Sequence, residues 1–472
     1  MVGPLRWIKF ATLIQSVTGG RIAAGFGGRA HETIVLMSLT HKETLGIYVS
    51  IPFCRSKCTY CNFASGVYPA SDHERYVDRV IEEMRASGGW AVALGAELTR
   101  TVDTVFLGGG TPSLLEPELI ARLFGAMRSE FVLSADAEIT VECAPGQIAD
   151  ATLEALAEAG VNRVSLGVQS FVDREAASSG RLHKRATVLN DLRRLRAAGI
   201  ANLNLDLIAG LTGQTPASWS ESLDVLLDSG VPHASVYMLE VDDGSRLGRE
   251  MLSGGVRYGA GLVPTDDAIA RMYEHAIDRF DAAGIAQYEI SNFCRSGFAS
   301  RHNLRYWERR PYLGLGLDAS SALYASGPES YLLRATTTDD LKSYLEGTAQ
   351  PETAWLSPDR QFEEAWFLGL RLNSGVNLPA LRSEFGADRV AAALAVVDRL
   401  APDGLLIRDK DRIRLTSHGR LLSNDVFQEF LGVADTTPAR ARRFHHASRS
   451  SSDTDERNAT GGDCEAGQSV AG

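Results

Sequence analysis

Cysteine is scarce in this chain of 472 residues: there are six, and Cys143, Cys294 and Cys464 each stand alone. So low and scattered a count excludes the dense framework of a small secreted disulfide protein and points to a reducing, cytoplasmic setting. Long hydrophobic runs are missing too. No charge-free apolar stretch approaches the roughly 20 residues needed to cross a bilayer, so no membrane-spanning helix is predicted. Positive charge is in deficit, with 48 Lys and Arg against 59 Asp and Glu for a formal net charge of −11. That balance argues against non-specific nucleic-acid binding and favours proteins or small molecules as partners. The hydrophobic content of 44% is ordinary for a globular chain, and the length allows two or three domains around a large core.

Both ends read as additions. Residues 1–44 hold Gly19, Gly20, Gly27 and Gly28 between weakly apolar pieces and predict a loose extension or a misassigned start, with Met37 an equally good first residue. A targeting segment built on Arg6, Lys9, Arg21 and Arg29 is weakened by Glu32 and poor amphipathicity. Residues 434–472 carry almost no large apolar side chain and predict a disordered tail, Cys464 included.

Between those ends, β-rich runs at 46–53, 103–109, 138–143, 162–168, 202–208, 234–241 and 287–290 alternate with helical stretches that open on Asp, Ser or Pro and close on Gly. Alternation of this kind predicts βα units and a parallel sheet. Six or so units in about 250 residues fit an α/β fold with a partial TIM-like barrel. Domain limits of 45–330 for the barrel and 331–433 for a second module are expected. In that module three helices, a hairpin in "LIRDKDRIRLTSHG" and a last helix resemble a winged-helix unit, and the acidic balance makes packing a better role for it than DNA binding.

The other three cysteines fall together in "SIPFCRSKCTYCNF", as Cys54, Cys58 and Cys61, directly after the first strand. Zinc would want a fourth Cys or His ligand, and usually a second C-x-x-C pair. A redox pair would leave Cys54 unexplained. Three incidental thiols so closely spaced are a poor account. An iron-sulfur cluster suits them better: a [4Fe-4S] cube normally takes four thiolates, so three leave one iron open. C-x-x-x-C-x-x-C is the spacing of radical S-adenosylmethionine (SAM) proteins, in which that open iron binds the amino and carboxylate groups of SAM. Cys143 and Cys294 read as small buried hydrophobes.

Active sites of such barrels gather at the C-terminal ends of strands. There the chain places Gly108, Gly109, Gly110 and Thr111 in "FLGGGTPS", Glu142 in "TVEC", Gln169 in "GVQS" and Asp206 in "NLDLIAG", with Arg181 in "SSGRLHKR". The glycines let backbone approach a ligand, a carboxylate suits a ribose diol, and Arg181 can grip a carboxylate bidentately. Taken singly, each is an ordinary turn, cap or salt bridge. Their recurrence around the strand ends points to a site.

From Gly46 to Leu431 the chain resembles the HemN/HemW branch of radical SAM proteins, the anaerobic coproporphyrinogen III oxidases and their haem-chaperone relatives. The similar stretches are "IYVSIPFCRSKCTYCNF", "VFLGGGTPSLL", "ITVECAPG", "RVSLGVQSF", "GRLHKR", "LNLDLIAGLTGQT", "YEISNF", "RHNLRYW" and "LTSHGRLLSNDVFQEFL". The resemblance implies that Cys54, Cys58 and Cys61 hold the cluster. It implies SAM contacts for Tyr48, Tyr60, Gly109, Gly110, Thr111, Glu142, Gln169, Arg181 and Asp206, of which Tyr48 and Tyr60 read equally well as packing aromatics.

Oxidases of this branch carry a further cysteine two residues after the third ligand; here Phe63 stands there, as in the HemW-type proteins. Those proteins also share an "HNxxYW" stretch, matched by His302, Asn303, Tyr306 and Trp307, and His302, Tyr306 and Trp307 are the implied haem contacts. The usual "GAHS" run is "DASS" here, with Asp318 for Gly and Ser320 for His, and Ala144 and Thr212 replace the usual Asn and Pro. The resemblance thus implies a cytoplasmic haem-binding protein that delivers haem to an acceptor, with a [4Fe-4S] cluster and SAM as cofactors. It names no catalytic residue and leaves a homodimer open. Coproporphyrinogen III oxidation is the alternative, disfavoured by Phe63, and radical methylation a lesser one.

Overall fold

Six apolar runs form six parallel strands in sequence order: β1 (Leu45–Ile51), β2 (Thr101–Gly109), β3 (Val132–Cys143), β4 (Arg163–Gln169), β5 (Asn202–Ala209) and β6 (His233–Met238). The computed structural model describes residues 44–327 and 331–433. The extension expected before Thr44, with Met37, and the tail expected over 434–472, with Cys464, lie outside them.

Helices 71–94, 117–130, 150–158, 185–197 and 216–228 connect successive strands, as parallel pairing demands. All seven residues of β1 are buried, as expected of a strand covered on both faces. In β4 and β5 the side chains split by parity. Val164, Leu166, Val168, Leu203, Leu205 and Leu207 join the main hydrophobic core. Arg163, Ser165, Gly167, Gln169, Asn204 and Asp206 line the barrel cavity. TIM-barrel interiors are normally filled by bulky branched side chains; a polar inner wall keeps this one open.

The barrel does not close on itself. The run at 287–290, expected as one more βα unit, is β7 (Ala286–Glu289), antiparallel to β8 (Asn292–Cys294), which in turn pairs antiparallel with β6. The chain then crosses to the opposite edge. There β9 (Tyr312–Gly316) adds parallel to β1, and β10 (Ser320–Tyr324), β11 (Leu332–Thr336) and β12 (Glu352–Leu356) extend the sheet antiparallel, to twelve strands among the described residues. The sheet therefore runs across the division expected at residue 330. Its last four strands escape a reading based on βα alternation because their connections carry no long helix until 358.

Helix 301–307 makes the crossing and plugs the barrel's lower end. Ser300 caps it, its hydroxyl accepting from Asn303 N–H at 3.3 Å. Glu138 of β3 accepts the backbone N–H of Arg301 and of His302, each at 3.0 Å. Arg305 is fully buried, donating to Asp103, to Thr104 Oγ1 at 3.2 Å and to the Pro311 carbonyl at 2.8 Å. Gly46 makes room for it: a Cβ there would lie 2.4 Å from Arg305 Cδ.

Beyond β12, helices 358–371, 378–385 and 387–400, then β14 (Leu406–Asp409) and β15 (Arg412–Leu415) with β13 (Val376–Asn377), then helices 417–421 and 423–428, follow the expected winged-helix order. Trp366 stacks on Phe430 at 4.7 Å in its core. No helix among the described residues is long and apolar enough to cross a membrane.

Candidate functional site

A cavity of about 1350 Å³, its open mouth included, runs down the barrel from the cysteine loop to the plug helix. The loop begins where β1 ends and is held from several sides. Thr59 donates its amide to the Ser179 carbonyl at 3.1 Å and accepts from Leu247 N–H at 2.8 Å, while Cys54 N–H bonds the Gly66 carbonyl at 2.8 Å. Lys57 Nζ donates to the carbonyls of Phe63 and Ser65, at 2.9 and 2.8 Å, and curls the loop back on itself.

Cys54, Cys58 and Cys61 all line this cavity. Polar donors face them: Arg181 Nη1 lies 3.5 Å from Cys58 Sγ, Thr111 Oγ1 3.9 Å from Cys54 Sγ, and Ser65 Oγ 4.0 Å from Cys61 Sγ. Burial, then the neighbouring Cys61 thiol, pushes the Cys54 thiol up; burial does the same to Cys61, with Cys58 adding to it. The three therefore sense one another. No three His, Cys, Asp or Glu side chains among the described residues converge on a single ion-sized point. A [4Fe-4S] cube does not ask that of them, since each thiolate takes a different iron.

The other expected SAM contacts, Tyr48, Tyr60, Gly109, Gly110, Thr111, Glu142, Gln169, Arg181 and Asp206, line the same cavity. Gly109 N–H donates to Glu142 Oε2 at 3.1 Å. Burial, reinforced by the Asp206 charge, pushes the Glu142 carboxyl up to about 8, and burial raises Asp206 despite its bonds to Ser165 and Asn204 at 3.1 and 2.8 Å. Gln169 sits at φ +68° where β4 breaks register, a conformation that concentrates at functional positions.

These residues fit a polar ligand above an iron-sulfur cluster. Among the described residues, the buried side-chain atoms Gln169 Oε1, Tyr60 OH and Gln147 Oε1, all on residues that line this cavity, have no hydrogen-bond partner. At Gly110 a Cβ would lie 2.7 Å from the Phe53 carbonyl oxygen, so only glycine brings that backbone to the cavity wall. Three thiols on one loop are the donor set of a cube with one open iron; Cys143 also lines the cavity, but from strand β3 and with its thiol turned to the Val141 carbonyl.

The residues expected to hold haem do not form one face. His302 and Tyr306 line the cavity floor, where both imidazole nitrogens are engaged, Nδ1 with Thr104 Oγ1 at 3.0 Å and Nε2 with Tyr306 OH at 2.9 Å. Trp307 belongs to the second hydrophobic core, under Arg371 at 4.3 Å. A flat macrocycle cannot meet all three from one side. Asp318 and Ser320 lie at the β9–β10 turn, off the cavity, and Ser320 Oγ bonds Thr336 Oγ1 at 3.0 Å. Cys143 and Cys294 are buried as expected. Arg163, Ser165, Asn204, Ser235, Tyr237 and Phe106 also line the cavity. None was anticipated, although the every-other-residue polar pattern of "RVSLGVQ" and "NLNLD" carries the signal.

An open parallel barrel with three cysteines after its first strand and a glycine turn after its second defines a radical SAM protein. Residues 48–226 match the radical SAM superfamily and residues 356–422 the HemN C-terminal domain. The heme chaperone HemW of Lactococcus lactis is 34% identical over 389 residues, covering 81% of this chain and 96% of that protein. The heme chaperone HemW of Mycobacterium tuberculosis is 35% identical over 400 residues, covering 83% and 95%. Coproporphyrinogen III oxidase (HemN) from Escherichia coli shares the fold, with a TM-score of 0.69 over 83% of this chain and 90% of that one at 23% identity. The chain belongs to the HemN/HemW branch of the radical SAM superfamily.

Proposed function

We propose that this protein is a HemW-type haem chaperone: it binds haem and hands it to an acceptor protein, with a SAM-binding [4Fe-4S] cluster at the barrel mouth. Cys54, Cys58 and Cys61 hold the cluster. The cluster supplies a low-potential electron and an open iron. Arg181 and Thr111 donate to the thiolates and the Arg181 guanidinium balances their charge, Gly109 and Gly110 present backbone, and Glu142 and Asp206 accept from hydroxyl groups. The deep setting of these groups in the barrel keeps bulk water away from them.

The observation that carries the chaperone reading over oxidation is Phe63. It lines the cavity beside the cysteines, where oxidases of the branch have a further thiol, and a phenyl ring can neither ligate iron nor relay a proton. The names of the relatives above point the same way. No geometric support falls on His302 as an axial ligand, because its ring is already committed on both sides.

An anaerobic haem titration of the reconstituted protein, read by the Soret band and followed by analysis for 5′-deoxyadenosine, tests this. One haem per chain without reductant-dependent porphyrin chemistry supports the reading. Conversion of coproporphyrinogen III to protoporphyrinogen, in the presence of SAM and a reductant, rejects it in favour of the oxidase.

A further inference from the structure

The inner wall beside and below Glu142 and Asp206 carries Arg163, Ser165, Asn204, Ser235, His302 and Asn303; Ser165 stands opposite Glu142 and Ser235 opposite Asp206, with Arg163 and Asn204 one inward-facing position lower. Arg163 opens β4 and is only 2% exposed. Among the described residues no hydrogen bond or ion pair reaches its guanidinium, and its Nε is buried without a partner. A buried cation in that state is costly, and an arginine cannot shed its charge to escape.

The Arg163 charge reaches Glu142 and Asp206 and favours their ionised forms, yet no carboxylate bonds to its guanidinium, because each is hydrogen-bonded elsewhere. Glu138 takes the plug helix's amides and Glu289 pairs with Arg371 at 3.2 Å. Asp206 is bonded by Ser165 and Asn204, and Glu142 by Gly109 N–H. Both histidines that feel the Arg163 charge are driven towards the neutral form, His233 by burial and then Arg163, and His302 by burial, Arg305 and Arg163. The planar fork is therefore left without a bonded partner, facing a cavity wall of hydroxyls and amides.

We infer that Arg163 is the recognition group of a carboxylate subsite at the bottom of the barrel cavity. A carboxylate offers two oxygens to the planar guanidinium, and Ser165, Asn204 and Ser235 supply the polar wall around it. The carboxylate has two sources of the same chemistry: a propionate arm of a tetrapyrrole, or a free small organic acid. The subsite does not depend on the haem-chaperone reading; only the first of these sources does.

The test is equilibrium dialysis of radiolabelled propionate against the reconstituted full chain and its Arg163→Met and Arg163→Lys variants, with melting temperatures recorded. Saturable binding is expected in the wild type, lost in Arg163→Met and partly kept in Arg163→Lys, with all three proteins folded. No binding in the wild type, or equal binding in Arg163→Met, overturns the subsite. So does a melting temperature that collapses in Arg163→Met while Arg163→Lys binds no better, since the arginine would then serve only to balance Glu142 and Asp206. Haem and haem dimethyl ester, titrated in parallel, separate the sources. Haem weakened about tenfold or more in Arg163→Met with the ester unaffected assigns the subsite to a propionate arm, and propionate binding without any difference between haem and ester assigns it to a free acid. A wild type that takes up neither tetrapyrrole removes the chaperone reading and leaves the propionate result standing.

Discussion

The contacts that seat the plug helix and the groups at the barrel mouth are built differently. At the lower end the polar groups that seat the plug helix have partners: Glu138 on the helix amides, Asp103 on Arg305 and Arg310, His302 between Thr104 and Tyr306. At the mouth, Gln169, Tyr60 and Gln147 keep buried atoms without one, and Gln169 holds a left-handed backbone. Two glycines mark the contrast. Gly46 yields its space to a side chain of the same protein, whereas Gly110 brings bare backbone to the cavity wall. Paired polar groups fix the plug, while the unpaired ones at the mouth face a cavity that a ligand can fill.

The largest effect expected at either end is at the mouth. Cys58→Ser should remove iron, colour and SAM binding together, because a three-thiolate site has no spare ligand; iron analysis and SAM dialysis check this, and iron retained at full stoichiometry refutes it. Its counterpart at the floor is Asp103→Asn. Burial pushes the Asp103 carboxyl up, but the Arg305 and Arg310 guanidiniums outweigh it and hold the group below its ordinary value. Arg305 itself is lowered to about 10, chiefly by burial, and so stays charged at neutral pH. Removing its partner should cost about 3 kcal/mol in denaturant unfolding while the cysteine loop still accepts a cluster.

Gly110→Ala comes next. Its methyl would collide with the carbonyls of Phe53 and Ile51, 2.7 and 2.9 Å away, so a loss of SAM affinity of about tenfold or more is expected, with a smaller change in melting temperature. The smallest effect is a pH slope. Burial, with the Asp206 charge beside it, pushes the Glu142 carboxyl from its ordinary 4.5 up to about 8 in the folded chain, so the folded state binds the extra proton. Its contribution to stability is complete below about 4.5 and falls as pH rises towards 8, by roughly 1 to 2 kcal/mol once solvent in the cavity is allowed for. Unfolding of the cluster-free chain between pH 5 and 8 should show this slope, and Glu142→Gln should flatten it.

Much of the mouth is legible in the chain because its groups sit at strand ends and in short motifs. Cys54, Cys58 and Cys61 follow one apolar run, and Glu142, Gln169 and Asp206 end others, so local pattern and the barrel rule together bring them to one rim. The floor is not local. Arg305 meets Asp103 across some 200 positions of chain, and nothing near "RHNLRYW" says that the helix turns inward beneath the sheet. Its His, Tyr and Trp therefore invite a ligand reading that the packing divides between the cavity floor and the second hydrophobic core. Strands β9 to β12 escape for a related reason: antiparallel pairing needs only short turns, and leaves none of the helix alternation that exposes parallel units.

Hydrogen–deuterium exchange of the reconstituted protein with and without SAM tests the difference between the ends most directly. New protection is expected over 54–61, 108–111 and 167–181, with the plug at 301–307 slow to exchange in both states and unchanged. Protection appearing at the plug while those mouth segments stay as they were would contradict the account.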